Sequence, residues 1–80
     1  MHMYFVYLLE CEDGSIYTGI TTDVARRFQE HNNGDGGRYT RSHGAKKILY
    51  AEQCATRGDA LRREAEIKRL SRAAKIKMTK

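Results

Sequence analysis

The first apolar stretch of the chain, residues 4–9, carries apolar and aromatic side chains at odd and even positions alike. A strand of this composition is covered on both faces, so the pattern predicts a central strand and not an amphipathic edge strand. Turn residues follow at 12–15, and residues 16–20 have the β-branched and aromatic content of a returning strand. We therefore expect the chain to open with a β-hairpin.

Capping residues, glycines and apolar spacing indicate the remaining elements. Thr22 or Asp23 can cap a first helix, whose end is marked by the glycine-rich residues 32–37. Further along, the pattern predicts a third strand at residues 47–54, a second helix from residue 60 to about residue 70, and a short basic helix at residues 72–78. The order β-β-α-β-α-α is that of an α+β fold.

The loop of the predicted hairpin decides whether Tyr7 and Tyr17 can act together. A two-residue loop puts their rings on opposite faces of the sheet. A three-residue loop at residues 12–14 pairs Tyr7 with Gly19 and places both rings on one face. We predict the second register, because Gly14 then occupies the position that needs a positive φ and Gly19 leaves room above it for the Tyr7 ring.

Length and composition predict one domain, residues 1–80, with a small core. No apolar run approaches the roughly 20 residues needed to span a bilayer, and the first residues lack the basic start of a signal peptide. A cytoplasmic protein without membrane association is expected. Cys11 and Cys54 are too few for a disulfide framework and lack the spacing of a zinc site, so we expect two buried, reduced thiols.

Positive charge is concentrated toward the C-terminal end of the chain. Residues 1–56 hold six Lys/Arg and seven Asp/Glu, net −1, whereas residues 57–80 hold nine and three, net +6. Such a surface attracts polyanions without reading sequence, because contacts to phosphate gain mainly by releasing counterions. Taken by itself, the charge favours the alternative interpretation, which is a solvated helix face.

Two side chains of the first helix, Arg27 and His31, flank its predicted apolar stripe, whereas Arg26 and Glu30 are expected to point to solvent. An arginine at the rim of the core can offer a forked donor to phosphate oxygens. The alternative for Arg27 is a side chain whose stem only covers apolar surface. For His31, the alternative is a helix-end histidine that donates to a carbonyl.

Glu64 has an unusual position on the predicted second helix. It falls inside the arc of apolar residues that runs from Leu70 through Ile67 to Leu61 and Ala65, so its carboxylate is expected to point toward the core. Burial of an unpaired carboxylate is unfavourable, so Glu64 should have a partner. That partner is an arginine or a backbone donor in a structural role, and a divalent cation in a functional one.

Together these features resemble the GIY-YIG nucleases over nearly the whole chain. The resemblance rests on the strand pair 6–8 and 17–19, the interval of ten residues from Tyr17 to Arg27, the helix end 30–32, and the segments Gly37-Arg38-Tyr39-Thr40 and Ala60-Leu61-Arg62-Arg63-Glu64. The chain is similar to the small stand-alone bacterial members and to the structure-selective endonuclease branch. The family also includes DNA repair and homing enzymes.

The resemblance implies a three-stranded antiparallel sheet flanked by helices, and a one-metal hydrolysis of a phosphodiester bond. By position, Tyr17 would be the general base or orient the attacking water, and Tyr7 would contact the phosphate or the nucleophile. Arg27 would stabilise transition-state charge, with assistance from His31. Glu64 would bind a single Mg²⁺ or Mn²⁺, which takes water and substrate oxygens as its other ligands.

The expected partner is nucleic acid, in the first place DNA, chosen by shape or strandedness and not by sequence. The residues expected to hold it combine charge with one stacking ring; they are Arg38, Tyr39, Arg41, Lys68 and Arg72. We expect no second domain that finds the substrate, so a protein partner that supplies targeting fits the same interpretation.

Two other functions stay open at this point. Some family members have a lysine where this chain has Ile20, and residues 75–80 lack the late asparagine of the repair and homing enzymes. A nucleic-acid-binding module that no longer cleaves therefore fits the same scaffold. A small interaction domain without any nucleic-acid role is the third possibility.

Overall fold

The structure, a computed structural model, describes residues 3–32 and 44–79. Along the chain its elements are β1 (Tyr4–Cys11), β2 (Ile16–Thr21), α1 (Val24–Asn32), β3 (Ala45–Cys54), α2 (Arg57–Lys68) and α3 (Arg72–Met78). The three strands form one antiparallel sheet in the order β2-β1-β3. The predicted α+β class, the order of elements and the central position of β1 are confirmed.

Both faces of the sheet are covered, which explains the uninterrupted apolar run of β1. Its even-numbered side chains Val6 and Leu8 are fully buried and pack against α2. Its odd-numbered side chains Tyr7 and Leu9 pack with Phe28 of α1 on the opposite face. Because α1 lies mainly over β3 and β1, the edge strand β2 is less covered on that face.

The hairpin between β1 and β2 closes with the predicted three-residue loop. The Cys11 amide donates to the Ser15 carbonyl at 2.8 Å, and the Gly14 amide donates to the Cys11 carbonyl at 2.9 Å. Gly14 has a φ of 85°, in the left-handed region that glycine enters without strain. The loop therefore adds one residue to the returning strand and sets the register of the pair.

This register brings the Tyr7 ring directly over Gly19. Tyr7 pairs with Gly19 and Leu9 pairs with Tyr17, so the two tyrosines share one face as predicted. A Cβ atom on Gly19 would lie 2.7 Å from the Tyr7 hydroxyl oxygen and 3.0 Å from Cε2 of Tyr17. Only glycine leaves enough room for both rings at this point.

The helix α2 begins three residues before its predicted start. The Thr56 side chain accepts a hydrogen bond from the Asp59 amide and caps the helix, so that Gly58 lies inside its first turn. The helix ends at Lys68, with Arg69 as its C-cap. The prediction was displaced because Gly58 was taken as the boundary, whereas Thr56 is the better capping residue.

The predicted apolar arc of α2 was too wide. Ala60 and Ile67 are fully buried, but Leu61 and Leu70 are 39% and 38% exposed, and Ala65 is exposed as well. Contact with one face of the sheet buries only a narrow stripe of the helix, so the outer part of the arc remains in solvent.

Two predictions concern the state of the cysteines and the presence of membrane-spanning helices. Cys11 and Cys54 are buried and free of disulfide bonds, as predicted. Within residues 3–32 and 44–79, none of the helices has the length and apolar content needed to cross a membrane.

We predict that Gly19→Ala destabilises the protein by about 1–3 kcal/mol, because the added methyl group overpacks the contact with the Tyr7 hydroxyl. Urea unfolding of the variant and the wild type measures the difference.

Gly58→Ala is the matched control for this prediction. A Cβ atom there meets its nearest neighbours at 3.9 Å, and the residue lies in an exposed first turn of α2. We expect unchanged or slightly increased stability, by up to about 0.5 kcal/mol. Equal effects of the two substitutions on the free energy of unfolding would show that the close contact between Gly19 and the Tyr7 hydroxyl does not require glycine.

Candidate functional site

Three rings from three different elements meet on the α1 side of the sheet. Tyr7 comes from β1, Tyr17 from β2 and His31 from the end of α1, and we call them the aromatic cluster. The ring centroids of Tyr7 and Tyr17 are 6.2 Å apart, those of Tyr7 and His31 6.1 Å, and those of Tyr17 and His31 5.0 Å. The Tyr7 hydroxyl lies 3.1 Å from His31 Nε2.

His31 is more deeply placed than the sequence suggested. It was expected to flank the apolar stripe of α1, yet it is only 1% exposed and its ring closes the aromatic cluster. The start of α1 sets this position, because the Asp23 side chain caps the helix by accepting from the Arg26 amide at 3.1 Å. Through Nε2, the ring contacts the Tyr7 hydroxyl.

Arg27 borders the aromatic cluster and is held from two sides. Its Nη1 lies 3.1 Å from Glu30 Oε1, and the positive guanidinium is close enough to Tyr7 to act against the rise in the pKa of the phenol. Glu30 was expected to point to solvent; its side chain is 39% exposed, and it also pairs with Arg27. The sequence offered a signal that was missed, since residues three apart on a helix are neighbours.

The environment keeps the Tyr7 phenol and the His31 imidazole neutral at physiological pH. Burial, together with the nearby negative charge of an ionised Tyr17, raises the pKa of Tyr7 to about 12 against the opposing effect of Arg27. Burial and the charge of Arg27 lower the pKa of His31 below its ordinary value. The Tyr7 hydroxyl and His31 Nε2 share a hydrogen bond of 3.1 Å, and the tautomer of the neutral imidazole determines which of the two donates.

Glu64 lies on α2 and therefore on the opposite side of the sheet from the aromatic cluster. Its side chain is 18% exposed, and Lys68 Nζ approaches its carboxylate at 3.5 Å. Its carboxylate was expected to point toward the core and to have a partner. The side chain borders the buried stripe of α2, and its observed partner is a lysine one turn away. It is nevertheless much less exposed than Glu66 on the same helix, at 64%.

The ion pairs of α2 show toward which edge of the sheet Glu64 is turned. On one flank of the buried stripe, Arg63 Nε bonds both carboxylate oxygens of Glu52 on β3, each at 3.1 Å. Glu64 follows Arg63 by one helical step and lies on the other flank. Because β1 lies between the two edge strands, this flank is turned toward β2. The edge strand that carries Tyr17 therefore separates Glu64 from the aromatic cluster.

The donor set suits a divalent cation held by one protein carboxylate. Within the described part of the chain, no three His, Cys, Asp or Glu side chains form a metal-binding group. Mg²⁺ is often bound through one or two carboxylates, with water and substrate oxygens as its other ligands. On the α2 side of β2, Thr18 Oγ1 is buried without a hydrogen-bond partner among the described residues, and water is the usual partner of such an atom. These features fit a hydrated ion at Glu64.

The predicted nucleic-acid-binding residues have different outcomes. Arg38, Tyr39 and Arg41 lie outside the described residues. Lys68 pairs with Glu64, as stated above. Arg72 has a structural partner that was not predicted, because its Nε and Nη2 donate to the Gly14 carbonyl at 3.2 and 3.0 Å and fasten α3 to the hairpin loop.

Comparisons with known proteins agree with this geometry. A family model described as the GIY-YIG catalytic domain matches residues 3–77. A UPF0213 protein of Halobacterium salinarum is 51% identical over 73 residues, covering 91% of this chain and 95% of that protein. A UPF0213 protein of Cupriavidus necator is 54% identical over 72 residues, covering 90% of this chain and 78% of that protein.

Two solution NMR structures have a similar fold. A UPF0213 protein from Bacillus halodurans superimposes with a TM-score of 0.59 at 43% identity, covering 95% of this chain and 81% of that one. A protein from E. faecalis gives a TM-score of 0.64 at 37% identity, covering 98% and 86%. The chain therefore belongs to the GIY-YIG catalytic domain family, a nuclease superfamily, and is similar to its small UPF0213 members.

Proposed function

We propose that this protein is a divalent-metal-dependent nuclease that hydrolyses phosphodiester bonds, with DNA as its substrate and with a preference for structure over sequence. The observation that carries the proposal is the aromatic cluster with Arg27 at its border, placed beside an edge strand toward which Glu64 is turned from the other face. A phosphate lying along this edge would be within reach of both sides of the sheet.

In this proposal Tyr7 acts as a neutral hydrogen-bonding group. With a pKa of about 12 it keeps its proton at physiological pH, so it is suited to contact the phosphate or the attacking water and not to serve as the base. The hydrogen bond of 3.1 Å between the Tyr7 hydroxyl and His31 Nε2 fixes the direction of the hydroxyl group. The pair therefore positions substrate and water.

Tyr17 and Arg27 take the remaining roles on the α1 side. Tyr17, on the less covered edge strand, orients the attacking water or removes its proton. The Arg27 guanidinium supplies positive charge beside the Tyr7 hydroxyl, where negative charge develops on the phosphate oxygens in the transition state. Glu30 holds that guanidinium in place at 3.1 Å.

Glu64 is the residue that would hold Mg²⁺ or Mn²⁺. Such an ion, when bound, supplies charge stabilisation and lowers the pKa of a bound water molecule. The chain itself keeps the carboxylate ready by partial burial and by the lysine pair, which satisfies its charge before the ion arrives.

The proposal extends to the setting in which the protein acts. One domain, residues 1–80, would work in the cytoplasm, and a protein partner would supply substrate targeting. The net charge of +6 over residues 57–80 supports binding to a polyanion but offers no device for reading bases. Structure-selective cleavage follows from that combination.

A catalytically inactive nucleic-acid-binding module is the second candidate. The observation that favours it is the lysine pair, because Lys68 Nζ at 3.5 Å neutralises the carboxylate that a metal ion would need. Ile20, at a position where some family members have a lysine, points in the same direction.

Glu64→Gln separates the two candidates. In a nuclease, loss of the carboxylate should reduce cleavage by about 100-fold or more while binding in chelator stays within about twofold of wild type. Cleavage is measured on labelled flap, fork, junction, single-stranded and duplex DNA with Mg²⁺, Mn²⁺ or chelator.

Glu66→Gln is the matched control, since Glu66 is a glutamate of the same helix with a 64% exposed side chain. It should cleave like the wild type. If Glu64→Gln cleaves as well as this control, or if no substrate is cut by the wild type with any metal, the nuclease assignment is wrong.

The neutral state of His31 makes a prediction about stability and pH. Because its pKa is lowered in the folded protein, the unfolded chain takes up a proton near pH 6.5 that the folded protein takes up only at lower pH. The contribution of neutral His31 to the free energy of unfolding should therefore be fully present above this pH. It should be lost as the pH falls below it.

Urea unfolding between about pH 5 and pH 8 measures this effect, with His31→Gln as the comparison that cannot titrate. The stability difference between wild type and variant should shrink as the pH falls. Parallel stability curves would mean that His31 is not held neutral against Tyr7.

A further inference from the structure

Four residues form a straight line along the flank of α2 that is turned toward β2. They are Arg57, Leu61, Glu64 and Lys68, spaced by four, three and four positions, and we call them the β2-side stripe. Residues at this spacing lie above one another on a helix. Glu64, the proposed metal ligand, is therefore bracketed by a cation at each end and by one apolar side chain.

The two cations of the stripe have charge to offer a ligand. Arg57 is exposed and makes no ion pair with any other residue that the structure describes. Lys68 is 57% exposed, and within residues 3–32 and 44–79 its one ion pair is with Glu64, the residue that a metal ion would engage. By contrast, Arg62 is paired with Asp59, and Arg63 is paired with acids on two sides.

Leu61 is the apolar member of the stripe, and it lies between Arg57 and Glu64. It is 39% exposed, whereas Ala60 and Ile67 of the same helix are fully buried. A single exposed leucine is ordinary on a protein surface. Its position between two cations and beside the proposed metal ligand is what makes it informative.

We propose that the β2-side stripe binds a single-stranded segment of the substrate, with Arg57 and Lys68 on its phosphates and Leu61 against the face of an unstacked base. This inference rests on the proposed function and adds the class of substrate. The two cations are eleven residues apart, about 16 Å along the helix axis, which spans several nucleotides of one strand.

The apolar side chain distinguishes a single strand from a duplex. In a duplex the base faces are stacked on one another and the groove edges and phosphates that remain are polar, so Leu61 would gain nothing from the contact. Splayed bases offer apolar faces, and proteins that bind single strands alternate cations with side chains on which bases rest. The β2-side stripe has this alternation, with Leu61 between Arg57 and Lys68 and next to the Glu64 carboxylate.

Binding without cleavage tests the inference directly. Fluorescence anisotropy with a labelled single strand and a labelled duplex, in chelator and at several salt concentrations, is measured for the full chain. Arg57→Ala/Lys68→Ala should reduce the salt dependence of single-strand binding by about 1.4, since each phosphate contact on a single strand contributes about 0.7. Leu61→Ala should weaken single-strand binding about fivefold and leave duplex binding unchanged.

The same helix and its end offer matched controls. Arg62→Ala/Arg69→Ala removes equal charge from positions away from β2, and Leu70→Ala removes a leucine of nearly equal exposure, at 38%. These variants should change the salt dependence by less than half as much and leave the single-strand preference intact. Circular dichroism shows that each variant is folded.

Failure of this inference and failure of the proposed function give different results. If the wild type cleaves but the stripe variants bind single strands like their controls, the stripe is not the binding surface. The inference about the stripe is also wrong if the wild type binds the duplex more tightly than the single strand, or if it binds no oligonucleotide. If the stripe variants weaken binding as expected and no metal supports cleavage, the strand-binding surface stands and the nuclease proposal falls.

Discussion

The contact between the Tyr7 ring and Gly19 is the constraint on which the candidate site depends. A methyl group on Gly19 would approach the Tyr7 hydroxyl to 2.7 Å, so glycine alone permits the ring to lie across the edge strand. This contact exists because the loop closing on Gly14 adds one residue to the returning strand and brings Tyr17 to the same face. A hairpin shorter by one residue would send Tyr17 to the α2 side and leave His31 without its second ring.

The sheet divides the candidate site into two halves. The side packed on α1 holds the neutral hydrogen-bonding rings and Arg27, whereas the side packed on α2 holds Glu64 with its lysine pair. Each half has its own internal contact, because Tyr7 bonds His31 and Glu64 pairs with Lys68. A ligand that joins them must lie along β2, the edge strand with open backbone groups, and a phosphate chain with a bound cation has the charge for both halves.

Local patterns predicted the fold well because each was strong by itself. The two-sided apolar run of β1 indicated its central place, and Gly14 indicated the loop that sets the register. The errors arose where tertiary contacts decide. Leu61 looked buried by spacing alone, yet the sheet covers only a narrow stripe of α2. Likewise, the carbonyl contact of Arg72 depends on a partner that periodicity does not reveal. The orientation of Glu64 toward β2 could be inferred only from the ion pairs of its helix, which the sequence pattern does not give.

Paramagnetic relaxation by Mn²⁺ tests most directly whether the two halves form one site across β2. The ion should broaden the NMR signals of Glu64 together with those of Tyr17 and His31, and the effect should be lost in Glu64→Gln. Tyr50, which bonds Glu52 on β3 at 2.6 Å, serves as the reference on the other flank of α2 and should stay sharp. Broadening of Tyr50 without Tyr17, or broadening that survives Glu64→Gln, would contradict a site built across the β2 edge.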